Sequence, residues 1–456
     1  MKRIDLTKGS VLKTLLIYAL PLIATNVVQL LFHATDVWVL GVMVDDHAVA
    51  AVGASGAIIN LLVNLFNGLA TGSNVLISRL VGARNEDGAR RATGTSLIIG
   101  FLSGVILMIV AVIGAPYFLV WMKCQPEVLA DATLYLRIYF MGMPIMMLYN
   151  FVAAILRGVG DSMRPMVYML SSGVLNVGLN VLFIAAFNMT VAGVALATVL
   201  SNLFCLVFAV IALFKNNGYC RAEAKNLRIR AWELKEIVKI GIPSALCGLF
   251  YYVSNLFVSS GVNSLSTDAM TANAISNQFD GIIYNVGLSI AIACLAMVGQ
   301  CLGSGDIDRV NKTVKVGATV VTVGSLALGS LFVLLSHPML GMMTDSEAVI
   351  KIAQEKMLVL CLTYFITSIM EVLSFSLRAL GSHLVTIVVG IVCGFFIRSS
   401  WVWFVWPLNK TLGMIYLSYP VSAFAAVIIY VISYIFVIKK VKTQYKKVSV
   451  KEVEYA

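Results

Sequence analysis

Twelve apolar runs, each long enough to cross a bilayer, divide this chain from end to end. They cover residues 12–40, 50–79, 91–113, 131–156, 164–187, 191–214, 235–262, 271–300, 313–335, 351–378, 384–407 and 412–437. A hydrocarbon core about 30 Å thick needs about 20 such residues per helix. Inside it each backbone N–H and C=O must be satisfied, which a helix does within its own segment, so the runs are predicted to be helices. Composition closes the water-soluble alternative: 60% of the residues are hydrophobic and 12% charged, too few polar side chains to clothe a core of this size. The first run follows Met1-Lys2-Arg3 as a secretory leader would, but it is too long and no small-residue cleavage site follows it. A retained first helix is expected.

The formal net charge of +11 raises the question of nucleic acid. The positions of the charges answer it. Lys2, Arg3 and Lys8 precede the first run; Arg84, Arg90 and Arg91 fill an alternate loop; Arg221, Lys225, Arg228 and Arg230 fill another; Lys439, Lys440, Lys442, Lys446 and Lys447 lie in the tail. The intervening loops, such as Val44-Asp45-Asp46-His47, hold almost none. This asymmetry follows the positive-inside rule and predicts both termini in the cytoplasm. The basic tail then reads as a topology and anionic-lipid signal, with no nucleic-acid partner expected. The eight cysteines are scattered, mostly inside apolar runs, without a CxxC pair, so neither disulfides nor zinc are inferred.

Sliding the sequence against itself by 221 residues lays Leu156-Arg157-Gly158-Val159-Gly160 over Leu377-Arg378-Ala379-Leu380-Gly381. Gly82 then falls on Gly303, Asp87 on Asp308, Asn64 on Asn285 and Ser55 on Ser276; with a one-residue gap, Lys13 and Pro21 fall on Lys235 and Pro243. Each half therefore holds six helices in the same order, and an even number keeps both halves in the same orientation. The predicted fold is all-α and integral to the membrane: two six-helix lobes related by a pseudo-twofold axis along the membrane normal. The predicted divisions are 1–214 for the N-lobe, 215–234 for an inter-lobe loop, 235–437 for the C-lobe and 438–456 for a basic tail.

Four stretches, in this order and spacing, resemble the multidrug and toxic compound extrusion (MATE) family along the whole chain. They are Pro21 followed by Asp36 in the first run, Leu156 to Gly160, Val298 to Asp306, and Gly413 to Pro420. The resemblance is closest to the prokaryotic DinF-like and MepA-like branch. It implies a monomeric antiporter in the bacterial cytoplasmic membrane that exports small organic, often cationic, compounds in exchange for H⁺ or Na⁺, with no other cofactor.

Asp36 is the sharpest single residue, because a carboxylate at the centre of a membrane helix costs about 3 kcal/mol on insertion scales. The resemblance joins to it Asn176 and Asn180 from the fifth run and Thr198 from the sixth. Their positions permit this: Asn176 and Asn180 are four apart and share a helix face, and helix rise places all four at one level. These groups suit a hard cation, with Asp36 as the metal ligand if Na⁺ is used, or they hold a protonated Asp36. Many relatives carry aspartate where this chain has Asn180, which leaves Asp36 the one carboxylate of the expected N-lobe site. His33, close by in sequence, is positioned to tune its proton affinity.

In the second half Asn150 maps onto Glu371, and the Asn176 region maps onto Ile397-Arg398. The intramembrane charges read from the sequence are therefore Asp36, Glu371 and Arg398. Helix rise puts Glu371 about 10 Å from the inner end of its helix and Arg398 about 22 Å up its own, so no direct pair is expected. Glu371 is expected to meet a cationic substrate or carry a proton. Arg398 is expected to meet a backbone carbonyl or another polar group, in a structural or functional role. Met143, Met147 and Asn150 are candidates for the substrate cavity, the methionines because thioethers repack around varied ligands; the alternative for them is lipid-facing filler. Pro21, Pro144 and Pro243 are expected to interrupt helices, and Pro21 is the preferred hinge. Two other functions compete. One is a flippase for a lipid-linked saccharide; the other is a lipid-modifying membrane enzyme, which the lack of any reacting constellation argues against. GxxxxGK[ST] is absent from the sequence, so direct ATP drive is not expected.

Overall fold

The computed structural model describes residues 3–44, 46–122, 124–215 and 218–454. The N-terminal half runs α1 (Val11–Met43), α2 (Asp46–Gly82), α3 (Glu86–Trp121), α4 (Pro126–Met141), α5 (Met143–Gly158), α6 (Met163–Phe187) and α7 (Val191–Phe214). The C-terminal half begins with α8 (Ala231–Asn263), α9 (Thr267–Gly303), α10 (Ile307–Leu334), α11 (Ser336–Gly341) and α12 (Glu347–Ala379). It ends with α13 (His383–Val389), α14 (Arg398–Ser400), α15 (Leu412–Tyr416) and α16 (Ser418–Glu454). Among the described residues, eleven helical stretches are long and apolar enough to span, or twelve if α4 and α5 count as one broken span bent by 48°. The twelve predicted runs all fall on them, and the chain is an all-α, multi-pass membrane protein.

Helix starts follow capping chemistry. The side chains of Asn85, Ser266 and Asp306 accept the backbone N–H groups of Gly88, Ala269 and Arg309, satisfying donors that the first turn leaves free. The break between α4 and α5 has a local cause. Gly142 ends one arm and Pro144 stands in the first turn of the next, where its missing N–H does no harm. The expectation that proline interrupts the helix holds here and fails twice elsewhere. Pro21 and Pro243 lie inside α1 and α8, which continue through them.

By internal contacts the described chain forms two compact units, one around Ala24–Ala245 and the other around Asp5–Ile23 with Leu246–Ala456. The division does not fall in the 215–234 loop. It cuts α1 just after Pro21 and α8 just after Pro243, so each unit takes the leading part of the other half's first helix. Within the second unit, the Arg309 guanidinium donates to the carbonyls of Leu6, Lys8 and Gly9 at 3.3, 2.6 and 2.8 Å, just ahead of α1. Within the first, Arg91 meets Glu233 at 3.0 Å, and a side chain at Gly68 would collide with the backbone of Ala245. Glycine lets the two helices approach closely, as small residues do in membrane bundles. The loop itself is bound to α3: Arg90 pairs with Glu223 at 3.2 Å, and Thr95 donates to the Arg228 carbonyl at 3.1 Å. Lys225 beside Glu223, with Arg90 adding to the pull, holds that carboxyl below its usual range.

Candidate functional site: charges inside the helices

Asp36 lies toward the C-terminal end of α1 and is buried. Asn180 of α6 donates its amide to one carboxylate oxygen at 2.6 Å. The Thr198 hydroxyl of α7 lies 3.4 Å from the other oxygen and 3.0 Å from the Val194 carbonyl. Asn176 completes a ring, accepting from Asn180 at 3.3 Å and donating to Thr198 at 3.4 Å. The four residues predicted from the sequence are thus brought together by three helices. All of the partners are neutral, so the carboxylate gains hydrogen bonds but no countercharge. The Asn180 carbonyl oxygen is buried and has no donor. With the carboxylate and the Thr198 oxygen it makes an all-oxygen set suited to a hard cation, and a proton on Asp36 would remove the uncompensated charge. Tyr135 and Tyr139, which the sequence reading did not single out, lie within electrostatic reach of Asp36 from α4. The His33 side chain lies outside the described residues.

Arg398 is buried on α14, a short α-helical piece between π-helical stretches at Gly390–Ile397 and Trp401–Val405. Such stretches are uncommon and frequent at functional sites. Its guanidinium donates to the Asn255 side-chain oxygen at 2.8 Å and to the Ser254 and Ser422 hydroxyls at 3.3 to 3.4 Å. It also stands over the rings of Tyr251 and Tyr419, 5.1 and 4.4 Å from their centroids. Its partners are side chains, where a backbone carbonyl was one expectation. Glu371 is half-buried on α12, within reach of Tyr284 and Arg378. As expected, Glu371 and Arg398 form no ion pair among the described residues.

Two residues correct the sequence reading. Asp280 of α9 and Lys356 of α12 are both buried and lie 3.1 Å apart. The intramembrane charges read from the sequence therefore omitted this pair. Both sit inside long apolar runs and the signal was available, since any charge there calls for a partner. A second correction concerns Met143 and Met147. Both are fully enclosed in the apolar core with Tyr135, Tyr139 and Phe140, so they face neither lipid nor open space. Asn150 is half-buried on α5. Pro21 is buried within α1.

The family model MatE matches residues 21–182 and 243–403, two segments that start at the prolines paired by the internal repeat. A probable multidrug resistance protein, YoeA of Bacillus subtilis, is 27% identical over 437 residues, covering 94% of each chain. The multidrug export protein MepA of Staphylococcus aureus is 26% identical over 351 residues, 76% of each chain. Among solved structures, the outward-facing conformation of a multidrug resistance MATE family transporter superposes with a TM-score of 0.89 at 21% identity, covering 97% of this chain and 99% of the other. That likeness establishes a shared fold.

Proposed function

The chain belongs to the MatE family, and on that premise we propose that it is a secondary antiporter exporting organic, drug-like and mainly cationic compounds in exchange for H⁺ or Na⁺. The observation that carries the reading is Asp36, a buried carboxylate that Asn180 and Thr198 solvate and that no basic residue neutralises among the described residues. Such a group is stable in an apolar bundle when a cation or proton joins it and costly when none does. That difference is what an exchange cycle needs. An ion loaded on Asp36 favours one conformation, and its release favours the other. By linkage, ion and substrate each weaken the other's hold by the same factor. Names of relatives support the cargo class: YoeA and MepA are both described as multidrug proteins.

The neutral ring has a defined part in this cycle. Asn180 aligns the carboxylate, Asn176 fixes Asn180 from one turn away, and Thr198 divides its proton between Asp36 and the Val194 carbonyl. With one carboxylate and otherwise neutral oxygens, the set accepts either ion. Pro21, fifteen residues before Asp36 and inside an unbroken helix, is the proposed hinge: it frees a carbonyl where α1 passes from one unit to the other. Positive-inside asymmetry supports placing both termini in the cytoplasm of a bacterial cell.

Dye efflux from proteoliposomes, with pH and Na⁺ gradients imposed separately, tests the reading. Wild-type protein is expected to follow one gradient, and Asp36→Asn to lose the response. Undiminished gradient-driven efflux by Asp36→Asn would sink the ion role. Pro21→Ala retaining full transport with full coupling would remove the hinge. A second reading, a flippase for a lipid-linked saccharide, draws on Arg398, a buried cation with no carboxylate against it. Gradient-independent lipid translocation would favour it.

A further inference from the structure

Where the first unit holds a buried carboxylate without a countercharge, the second holds one already matched. Lys356 Nζ lies 3.1 Å from an Asp280 carboxylate oxygen, 2.6 Å from the Asn277 side-chain oxygen, 2.9 Å from that of Asn273 and 3.4 Å from the Asn273 carbonyl. Asn273, Asn277 and Asp280 recur at helical spacing on one face of α9, the face turned toward α12. An ammonium has three protons and here meets four oxygens, one of them charged, so its hydrogen bonding is complete. The cage is itself held in place. The Tyr416 hydroxyl donates to the Asn273 side-chain oxygen at 3.3 Å, and the Cys361 thiol lies 3.5 Å from Asp280. The remaining titratable groups facing the pair are Tyr364 and Tyr419. None of these neighbours adds a second carboxylate.

The internal repeat gives this arrangement a meaning. Lys356 stands 221 residues after Tyr135, the same interval that aligns the two halves, and Tyr135 is a residue within electrostatic reach of Asp36. The fourth span of each half thus sends a side chain toward its unit's buried carboxylate. In one half it is a phenol, which leaves the charge for something from outside. In the other it is an ammonium, which cancels it.

We propose that Lys356 is a tethered cation that permanently fills the second unit's cation site, so that only the Asp36 site exchanges and one coupling ion is carried per transport cycle. The inference rests on the reading of Asp36 given above. It makes Lys356 the residue that sets the stoichiometry. A chain with Lys356 replaced by a neutral side chain would expose a second site, built from Asp280, Asn273 and Asn277.

The test counts ions on the purified full-length protein in detergent, using Na⁺ alone by equilibrium dialysis with a radioactive tracer, and proton uptake after a pH jump in weak buffer. Wild-type protein is expected to take up one ion more than Asp36→Asn, the exposed titrating groups contributing equally to both in the proton measurement, and Asp36→Asn is expected to bind no Na⁺. Asp36→Asn combined with Lys356→Gln is expected to regain one, and adding Asp280→Asn to abolish it again. Two ions on the wild type would overturn the proposal, as would no regained ion in a folded Asp36→Asn/Lys356→Gln protein. Should Lys356→Gln fail to fold, two other variants decide. An ion kept by Asp36→Asn and lost by Asp36→Asn/Asp280→Asn would show that the second site exchanges despite Lys356, and the inference falls alone. An ion kept by both would defeat the Asp36 reading, and the one-site inference with it.

Discussion

In the unit around Ala24–Ala245 the buried carboxylate of Asp36 is held by an amide and a hydroxyl; in the unit around Leu246–Ala456 the buried carboxylate of Asp280 lies 3.1 Å from an ammonium. The two carboxylates are not equivalents in the repeat, since Asp280 falls on Ile59 and Asp36 stands on the first span of its half, but both are held among asparagine side chains. The difference lies in where the positive charge comes from. A carboxylate solvated by neutral groups is poised to take up a proton or an ion. One paired internally is a fixed part of the bundle, because separating the partners leaves an uncompensated charge in a medium that solvates it poorly.

The same chemical change should therefore act very differently in the two units. Asp280→Asn strands the Lys356 ammonium and is expected to cost about 3 to 5 kcal/mol of stability. Asp36→Asn removes a buried charge that had no countercharge and keeps the shape of the side chain, so no loss of stability is expected. Thermal unfolding of the two variants in detergent, with and without Na⁺, measures both. Equal losses would break the comparison. Neutralising both members of the pair, as in Asp280→Leu with Lys356→Met, should recover most of the loss.

The two halves also differ in how their third and fourth spans touch. In the first unit Gly104 of α3 faces the start of α5, where an added Cβ would lie 2.5 Å from the Pro144 Cα and 2.8 Å from the Met143 carbonyl. The repeat places Ser325 at the equivalent point, and there it shares a 2.9 Å hydrogen bond with Ser368. Gly104→Ala meets backbone that cannot swing aside, so a loss of about 1 to 3 kcal/mol is expected. Ser325→Ala, which forfeits one interhelical hydrogen bond, should cost about 0.6 kcal/mol. Unfolding midpoints that rank the two the other way would show that the glycine contact is slack.

How far the sequence could be read follows the same line between scaffold and pairing. The spans were legible because lipid demands about 20 apolar residues whatever the tertiary structure. The Asp36 ring was legible because the family pattern names its members and helical spacing puts Asn176 and Asn180 on one face. Asp280 and Lys356 were legible as charges inside apolar runs but not as partners, since each looks like a lone polar interruption until α9 and α12 are seen packed together. Met143 and Met147 misled for a related reason. Composition gives an adaptable thioether surface, while the direction it faces is fixed by the bend at Gly142, a tertiary feature. The exchange of the leading parts of α1 and α8 was invisible too, because both prolines read as breaks and the helices run through them.

Arg398 sharpens the comparison from the other side, as a buried charge of the second unit with neutral partners. Removing it strands no opposite charge. What is lost is a set of hydrogen bonds and two ring contacts, so Arg398→Met should cost about 1 to 2 kcal/mol, less than Asp280→Asn in the same unit. Arg398→Lys should not restore it, because a point ammonium cannot fork between Ser422 on one side and Asn255 on the other. A cost as large as that of Asp280→Asn would mean that an acidic group reaches Arg398 in solution.

The smallest contrast lies at the helix ends, where each unit secures a borrowed segment with one arginine. Arg91, with its side chain 38% exposed, reaches a Glu233 carboxylate that is 5% exposed, a pair open to solvent on the arginine side only and expected to contribute about 1 kcal/mol. Arg309 reaches three carbonyls instead, at Leu6, Lys8 and Gly9. A pair of full charges weakens as salt screens it, with a Debye length of about 3 Å at 1 M, whereas short bonds from a guanidinium to carbonyl dipoles weaken far less. Arg91→Ala should therefore lower the unfolding temperature by less in 1 M KCl than in dilute KCl, and Arg309→Ala should lower it by a similar amount in both. KCl serves here because Na⁺ would act at the Asp36 site as well. If the salt dependence fell on Arg309, its contacts to the residues ahead of α1 would not be the ones holding that segment, and the allocation of Asp5–Ile23 to the second unit would lose its local cause.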